Sequence, residues 1–319
     1  MYSITAARYC FNIKAEEELI LPKYKGSTFR GGFGQSLKRT VCVSRENRCA
    51  DCLVKDRCIY IDIFDHTDSL KQDIDNPSSD CIPYIIEPPL EEKESYQKGE
   101  YISFHLILFG KSIDYLPYFI YAFMELGETK GIGKNREMKY GRFSIEEVQY
   151  IPFYKTPPVT IYHSKDKKII PHSIKPVRSD DITDKGKKIL TINFTTPTKF
   201  IYNGKVLPEE SLTFNIFMKN LFRRISNLAK FHGGKFLEPD VIKALLKKSE
   251  DITVKENRLE FSPWIRYSNR QLRKIKLHGF TGSITFEGEL APFYPYICLG
   301  QLTHIGKSTT MGMGMYEVK

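Results

Sequence analysis

Apolar and polar residues alternate along residues 2–13, the period of a half-buried strand. Pro22 and Gly26 break the run. From Thr28 to Val41 the period lengthens: Phe29, Phe33, Leu37 and Val41 recur every four residues, which predicts a helix with Ser27 or Thr28 as its cap. Residues 101–109 are a dense β-prone run, and 114–126 fit a second helix. A glycine-rich loop from Gly127 to Arg136 and a closing strand from Arg142 to Ile151 complete the first half. The second half repeats this order. Residues 189–203 fit a strand, and 211–230 a helix with Phe214, Phe217, Leu221, Ile225 and Leu228 inward and Lys219, Arg223, Arg224 and Lys230 outward. Strands follow at 252–261 and 271–288, then a helix over 290–303 interrupted by Pro292 and Pro295, and a second glycine-rich loop from Gly300 to Gly314.

Each half therefore reads β-α-β-β-α-β, the ferredoxin-like order. The expected fold is α+β, with two tandem ferredoxin-like (RRM-like) domains. Residues 1–151 form the first, 152–188 a linker rich in Pro, Lys and Asp, and 189–319 the second. The first carries two expected insertions, one cysteine-rich at 42–58 and one acidic at 62–100.

A chain of 319 residues suits two such domains, and 41% hydrophobic residues rule out global disorder. No apolar run approaches the roughly 20 residues of a membrane span, and the N-terminus has no export pattern. A cytoplasmic protein without membrane partners is expected. The net charge is +10, but its distribution says more than its size. Residues 1–150 carry 20 Lys and Arg against 23 Asp and Glu; residues 151–319 carry 28 against 15. The excess positive charge lies in the second half, as a phosphate-binding face requires.

Four of the seven cysteines cluster as Cys42, Cys49, Cys52 and Cys58. The Cys49-x2-Cys52 pair suits a tight turn holding two thiolates on one soft metal, and the outer two can complete a tetrahedron. The polar loop between them has little core of its own. A structural zinc is the expected occupant, with an iron–sulfur cluster as the other thiolate chemistry and reduced, packed thiols as the plain alternative.

The stretch from Leu21 through Gly26-Ser27-Thr28-Phe29-Arg30-Gly31-Gly32-Phe33-Gly34 resembles the first-helix signature of the RAMP-superfamily proteins of CRISPR systems. Arg266-Tyr-Ser-Asn-Arg270, Gly279, Gly282, Gly288, Gly300 and His304-Ile-Gly306-Lys307 with Gly312-Met-Gly314 are similar to the C-terminal domain of the CRISPR repeat-processing endoribonucleases, the Cas-six family. The cysteine-rich insertion is similar to one branch of it. The resemblance implies two domains facing each other across a cleft that binds repeat or guide RNA, with the glycine-rich loops in contact. It also implies cleavage without a catalytic metal, by attack of a ribose 2′-hydroxyl that leaves a 2′,3′-cyclic phosphate, and other CRISPR effector subunits as further partners.

That reaction needs proton-transfer groups and cations on the phosphorane. Family members often carry a histidine on or near the first helix, and residues 28–41 contain none. The candidates are His304 and Lys307 in the second loop, with Tyr24 and Lys38 flanking or on the first helix. The RNA-binding candidates are Arg30, Arg39, Lys134, Arg136, Lys219, Arg223, Arg266, Arg270, Arg273 and Lys274, with Gly306, Gly312 and Gly314 allowing close backbone approach. Basic residues mixed with Trp264 and Tyr267 suit phosphates and unpaired bases. The alternative function is a non-catalytic RAMP subunit that binds guide RNA in an effector complex. A zinc-stabilised RNA binder outside CRISPR systems is the third reading.

Overall fold

The computed structural model describes residues 2–44, 49, 51–64, 81–134, 137, 139–153, 156–182, 188–202, 204–268 and 273–319. The chain divides into two compact units, Thr5–Lys175 and Met1–Ile4 with Pro176–Lys319.

In the unit Thr5–Lys175 the elements run β1 (Ala6–Ala15), α1 (Gly26–Val41), α2 (Ile59–Phe64), β2 (Tyr84–Glu87), β3 (Tyr101–Phe109), α3 (Leu116–Glu125), β4 (Phe143–Ile151) and β5 (Val159–His163). The five strands form one antiparallel sheet in the order β2-β3-β1-β4-β5. The first four of these are the ferredoxin-like arrangement, with α1 and α3 packed over the sheet. Tyr9, Phe11 and Ile13 of β1 are fully buried, and so are Phe29, Phe33 and Leu37 of α1, as their spacing predicts. Phe33 stacks on Phe119 and Phe123 of α3 at 4.8 and 5.0 Å.

In the second unit the order is β6 (Ile189–Thr198), α4 (Phe214–Phe231), α5 (Pro239–Lys248), β7 (Thr253–Ser262), β8 (Ile265–Ser268), β9 (Arg273–Lys276), β10 (Gly279–Glu287), α6 (Tyr294–Thr303) and β11 (Tyr316–Val318). Its antiparallel sheet has the order β7-β10-β6-β11. This is again the ferredoxin-like arrangement, with the hairpin β8–β9 inserted between its second and third strands.

Several expectations need correction. The segment 62–100 is not only an insertion, because β2 lies inside it and all four of its residues are buried. Part of the expected linker belongs to the first sheet: β5 pairs with β4, and His172 Nε2 hydrogen-bonds the Tyr9 hydroxyl at 3.1 Å. The N-terminal Ser3–Ile4 pairs with Val177–Arg178 and so belongs to the second unit, not the first. Helix α1 begins at Gly26 behind Lys25, without a side-chain cap from Ser27 or Thr28. The strand expected over 271–288 breaks at Leu277 into a hairpin arm and a core strand. No helix among the described residues is long and apolar enough to cross a membrane.

Candidate functional site

The second glycine-rich segment starts where α6 ends. His304 takes φ 52°, a region that L-residues other than Gly seldom occupy. Its ring has no exposed surface, and Nδ1 lies 3.2 Å from the Met313 carbonyl oxygen. The Ile305 N–H donates to the Gly314 carbonyl at 3.0 Å. A Cβ added at Gly314 (φ 76°) would lie 1.8 Å from the Ile305 oxygen, and one at Gly306 (φ 84°) 2.6 Å from the Lys199 oxygen. The loop also folds against the end of β6. The Thr196 hydroxyl donates to the Gly312 carbonyl at 2.8 Å and accepts from Met315 N–H at 2.9 Å.

Two features of this geometry bear on the residues the sequence singles out. Gly306, Gly312 and Gly314 are buried, and their missing side chains let the loop pack on its own chain. His304 packs wholly inside that loop, with its Nδ1 against the Met313 carbonyl oxygen. Between His304 and Gly314 only Lys307 and Ser308 are partly exposed. The Lys307 N–H donates to the Lys199 carbonyl at 3.0 Å. The backbones of two half-buried lysines thus meet at this loop. The sequence reading did not include Lys199, which lies inside the strand expected over 189–203 and just past the end of the observed one.

On α4, Lys219, Arg223 and Lys230 are exposed along one stripe, opposite the buried Phe217, Leu221, Ile225 and Leu228. Arg224 does not join them. It is buried, and its Nε donates to the Thr303 carbonyl at 3.0 Å. A cation on the last carbonyls of α6 complements the helix dipole there. On the β8–β9 hairpin the register puts Arg266 opposite Ile275, Tyr267 opposite Lys274 and Ser268 opposite Arg273. Arg270 and Arg136 lie outside the described residues.

The first unit treats its cations differently. Arg30 lies over the Phe64 ring at 4.6 Å, with Nε buried. Arg39 pairs with Glu125 at 3.0 Å. The Lys38 ammonium stands 5.4 Å from the Tyr60 ring centroid. Tyr24 is half-buried, and its neighbour Lys25 is fully buried, its ammonium donating to the Lys23 and Glu91 carbonyls at 3.1 and 2.8 Å. Burial pushes the Lys25 pKa down, opposed by Glu91, Glu94 and Glu92. Lys134 is exposed, while its backbone is paired with Ile20. Cys42, Cys49, Cys52 and Cys58 all line one cavity of about 460 Å³, together with Lys38 and Arg57.

Comparison with known proteins covers both units. Residues 4–174 match the family described as the AF_1859 N-terminal domain. Residues 192–316 match the family of the CRISPR-associated endoribonuclease Cas6. An uncharacterized protein of Archaeoglobus fulgidus is 32% identical over 127 residues, which is 40% of this chain and 41% of that protein. The chain thus spans about two fifths of the curated relative it matches. A solved Cas6 product complex is similar in fold, with a TM-score of 0.55 at 16% identity over 99% of both chains. A partial Cas6-RT-Cas1–Cas2 complex matches with a TM-score of 0.57 at 12% identity, over 99% of this chain and 46% of that one.

Proposed function

We propose that this chain, which belongs to the Cas6 family of CRISPR-associated proteins, binds CRISPR repeat RNA and cuts it within the repeat. In the proposed reaction a ribose 2′-oxygen loses its proton and bonds to the adjacent phosphorus. The bond from phosphorus to the 5′-oxygen breaks, and that oxygen leaves with a proton. The products are a 2′,3′-cyclic phosphate and a 5′-hydroxyl, with no water consumed. The observation that carries this reading is the mouth of the second loop, where Lys199 and Lys307 meet on a rigid, buried frame. Two lysines carried on adjoining backbones offer their charges to one anion, and the negative charge of the reaction is largest in the phosphorane. Lys38 and Tyr24 are the proposed groups of the other unit. His304 and Arg224 are positioning residues that hold the loop and the end of α6.

The exposed stripe of Lys219, Arg223 and Lys230 supports backbone contacts along the RNA, as do the basic positions of the β8–β9 hairpin. The excess positive charge of the second half of the chain points the same way. A Cas6-type protein assembled with other CRISPR proteins, as in the Cas6-RT-Cas1–Cas2 complex, makes such proteins proposed partners too.

The test is a synthetic repeat RNA from the source genome, incubated with the protein in EDTA. Single cutting with a cyclic phosphate, abolished by one 2′-deoxy substitution at the cut, is the expected result. The burial of His304 favours a second reading, a guide-RNA-binding RAMP subunit without chemistry. Tight binding with no product would select it.

A further inference from the structure

We propose that Cys42, Cys49, Cys52 and Cys58 bind one zinc ion, which staples the end of α1 to the start of α2. Two of the four are already fixed to the framework. Cys42 follows the last turn of α1, and its N–H donates to the Lys38 carbonyl at 2.9 Å. Cys58 directly precedes α2, and its carbonyl accepts from Asp62 N–H at 2.9 Å. The two helices are docked tightly: a Cβ added at Gly34 of α1 would lie 2.3 Å from the Phe64 ring of α2. The other two cysteines lie on a tight turn closed by Cys52 N–H to the Cys49 carbonyl at 3.3 Å. That is the backbone form by which a Cys-x2-Cys pair offers two thiolates to one ion.

All four side chains line the same cavity of about 460 Å³. Among the described residues, no three His, Cys, Asp or Glu side chains already converge on a point where an ion would be held. Binding requires the four thiolates to close onto one point in that cavity. Val43, Leu53 and Val54 are all exposed, Leu53 completely, so these apolar side chains build no core of their own. Four thiolates on a divalent ion leave a net charge of −2, and Lys38 and Arg57 line the same wall to offset it. A donor set of sulfur alone selects a soft or borderline metal and leaves no open position, so the ion is structural. This inference does not rest on the RNA reading and touches it only at Lys38, which lines the cavity.

The experiment uses the full chain, purified without chelator from zinc-supplemented cells. The expected result is one zinc per chain by elemental analysis, lost in Cys49→Ser/Cys52→Ser and retained in Cys10→Ser/Cys298→Ser. If the double variant in the loop does not fold, cobalt titration of the metal-stripped wild-type protein decides. Tetrahedral cobalt–thiolate absorption saturating at one equivalent, with four thiols protected from a thiol reagent by zinc, supports the site. A folded protein without stoichiometric zinc and without those bands overturns it. A bound iron–sulfur cluster in place of zinc overturns it as well.

Discussion

The two glycine-rich loops occupy matching places in the two ferredoxin-like units, and they solve the same packing problem. In the first, a Cβ at Gly131 (φ 72°) would meet the Gly141 oxygen at 2.4 Å, and one at Gly133 (φ 64°) the Ile20 oxygen at 2.4 Å. In the second, Gly306 and Gly314 approach the Lys199 and Ile305 oxygens in the same way. Each loop then presents a lysine just beyond a glycine, Lys134 in one and Lys307 in the other. The difference lies in what stands beside it. Lys134 is joined by backbone to Ile20, an apolar residue, whereas Lys307 is joined to Lys199. The glycines of both loops make room for the chain's own carbonyls, and among the described residues the loop lysine has a second lysine as its backbone partner in the second loop.

Replacing the glycines should give the largest effects. Gly314→Ala and Gly133→Ala each add a Cβ against a carbonyl at positive φ, and each should cost about 3 kcal/mol or more in chemical denaturation. A tolerant Gly314→Ala alone would break the comparison. Gly31→Ala, where nothing lies within 4 Å, should be close to neutral or stabilising.

His304→Ala removes a buried ring and its contact with the Met313 oxygen, for a loss of about 2–4 kcal/mol. A positioning role sharpens this further. Cleavage by His304→Ala should fall with its stability while the shape of the pH–rate profile stays as in the wild type. Loss of one limb of that profile would return proton transfer to His304.

A smaller effect separates the units by pH. In the first, burial and then the Arg8 guanidinium hold the His105 pKa down to about 4, with Glu87 opposing. The unfolded chain takes up this proton near 6.5, the folded chain only near 4. Stability from this residue is therefore complete above about pH 6.5 and is lost as the pH falls towards 4. A third of the side chain is exposed, and screening reduces the loss to about 1–2 kcal/mol. Urea titrations at the two ends of that window should show the loss, and His105→Gln should remove it. Smallest of all, Arg39→Ala should cost less than about 1 kcal/mol, because its pair with Glu125 is exposed.

The long core elements were legible because burial imposes a period on them. β1, α1, β3, α4 and β6 each expose one face and bury the other. The four residues of β2 were not, because a short, wholly buried run between Pro83 and Pro88 carries no period. Helix α5 was missed although Val241, Ile242, Leu245 and Leu246 give it an apolar stripe; none of its residues is fully buried. The site was less legible than the fold. A glycine that admits a phosphate and one that admits its own chain's carbonyl look identical in sequence. Arg223 and Arg224 are adjacent in the helix, and only the Thr303 carbonyl explains why one turns inward. The meeting of Lys199 with Lys307 depends on a backbone hydrogen bond across more than 100 positions, which no local pattern encodes.

The central claim is that the second unit's paired cations serve RNA chemistry on a buried frame. Single-turnover cleavage of repeat RNA by the wild type and by Lys199→Ala/Lys307→Ala tests it most directly. The account predicts cleavage by the wild type and a loss of at least 100-fold in rate in the double variant, about 2.7 kcal/mol of transition-state stabilisation, with its thermal unfolding unchanged. Equal cleavage rates for the two folded proteins, or no cleavage by either, would contradict it.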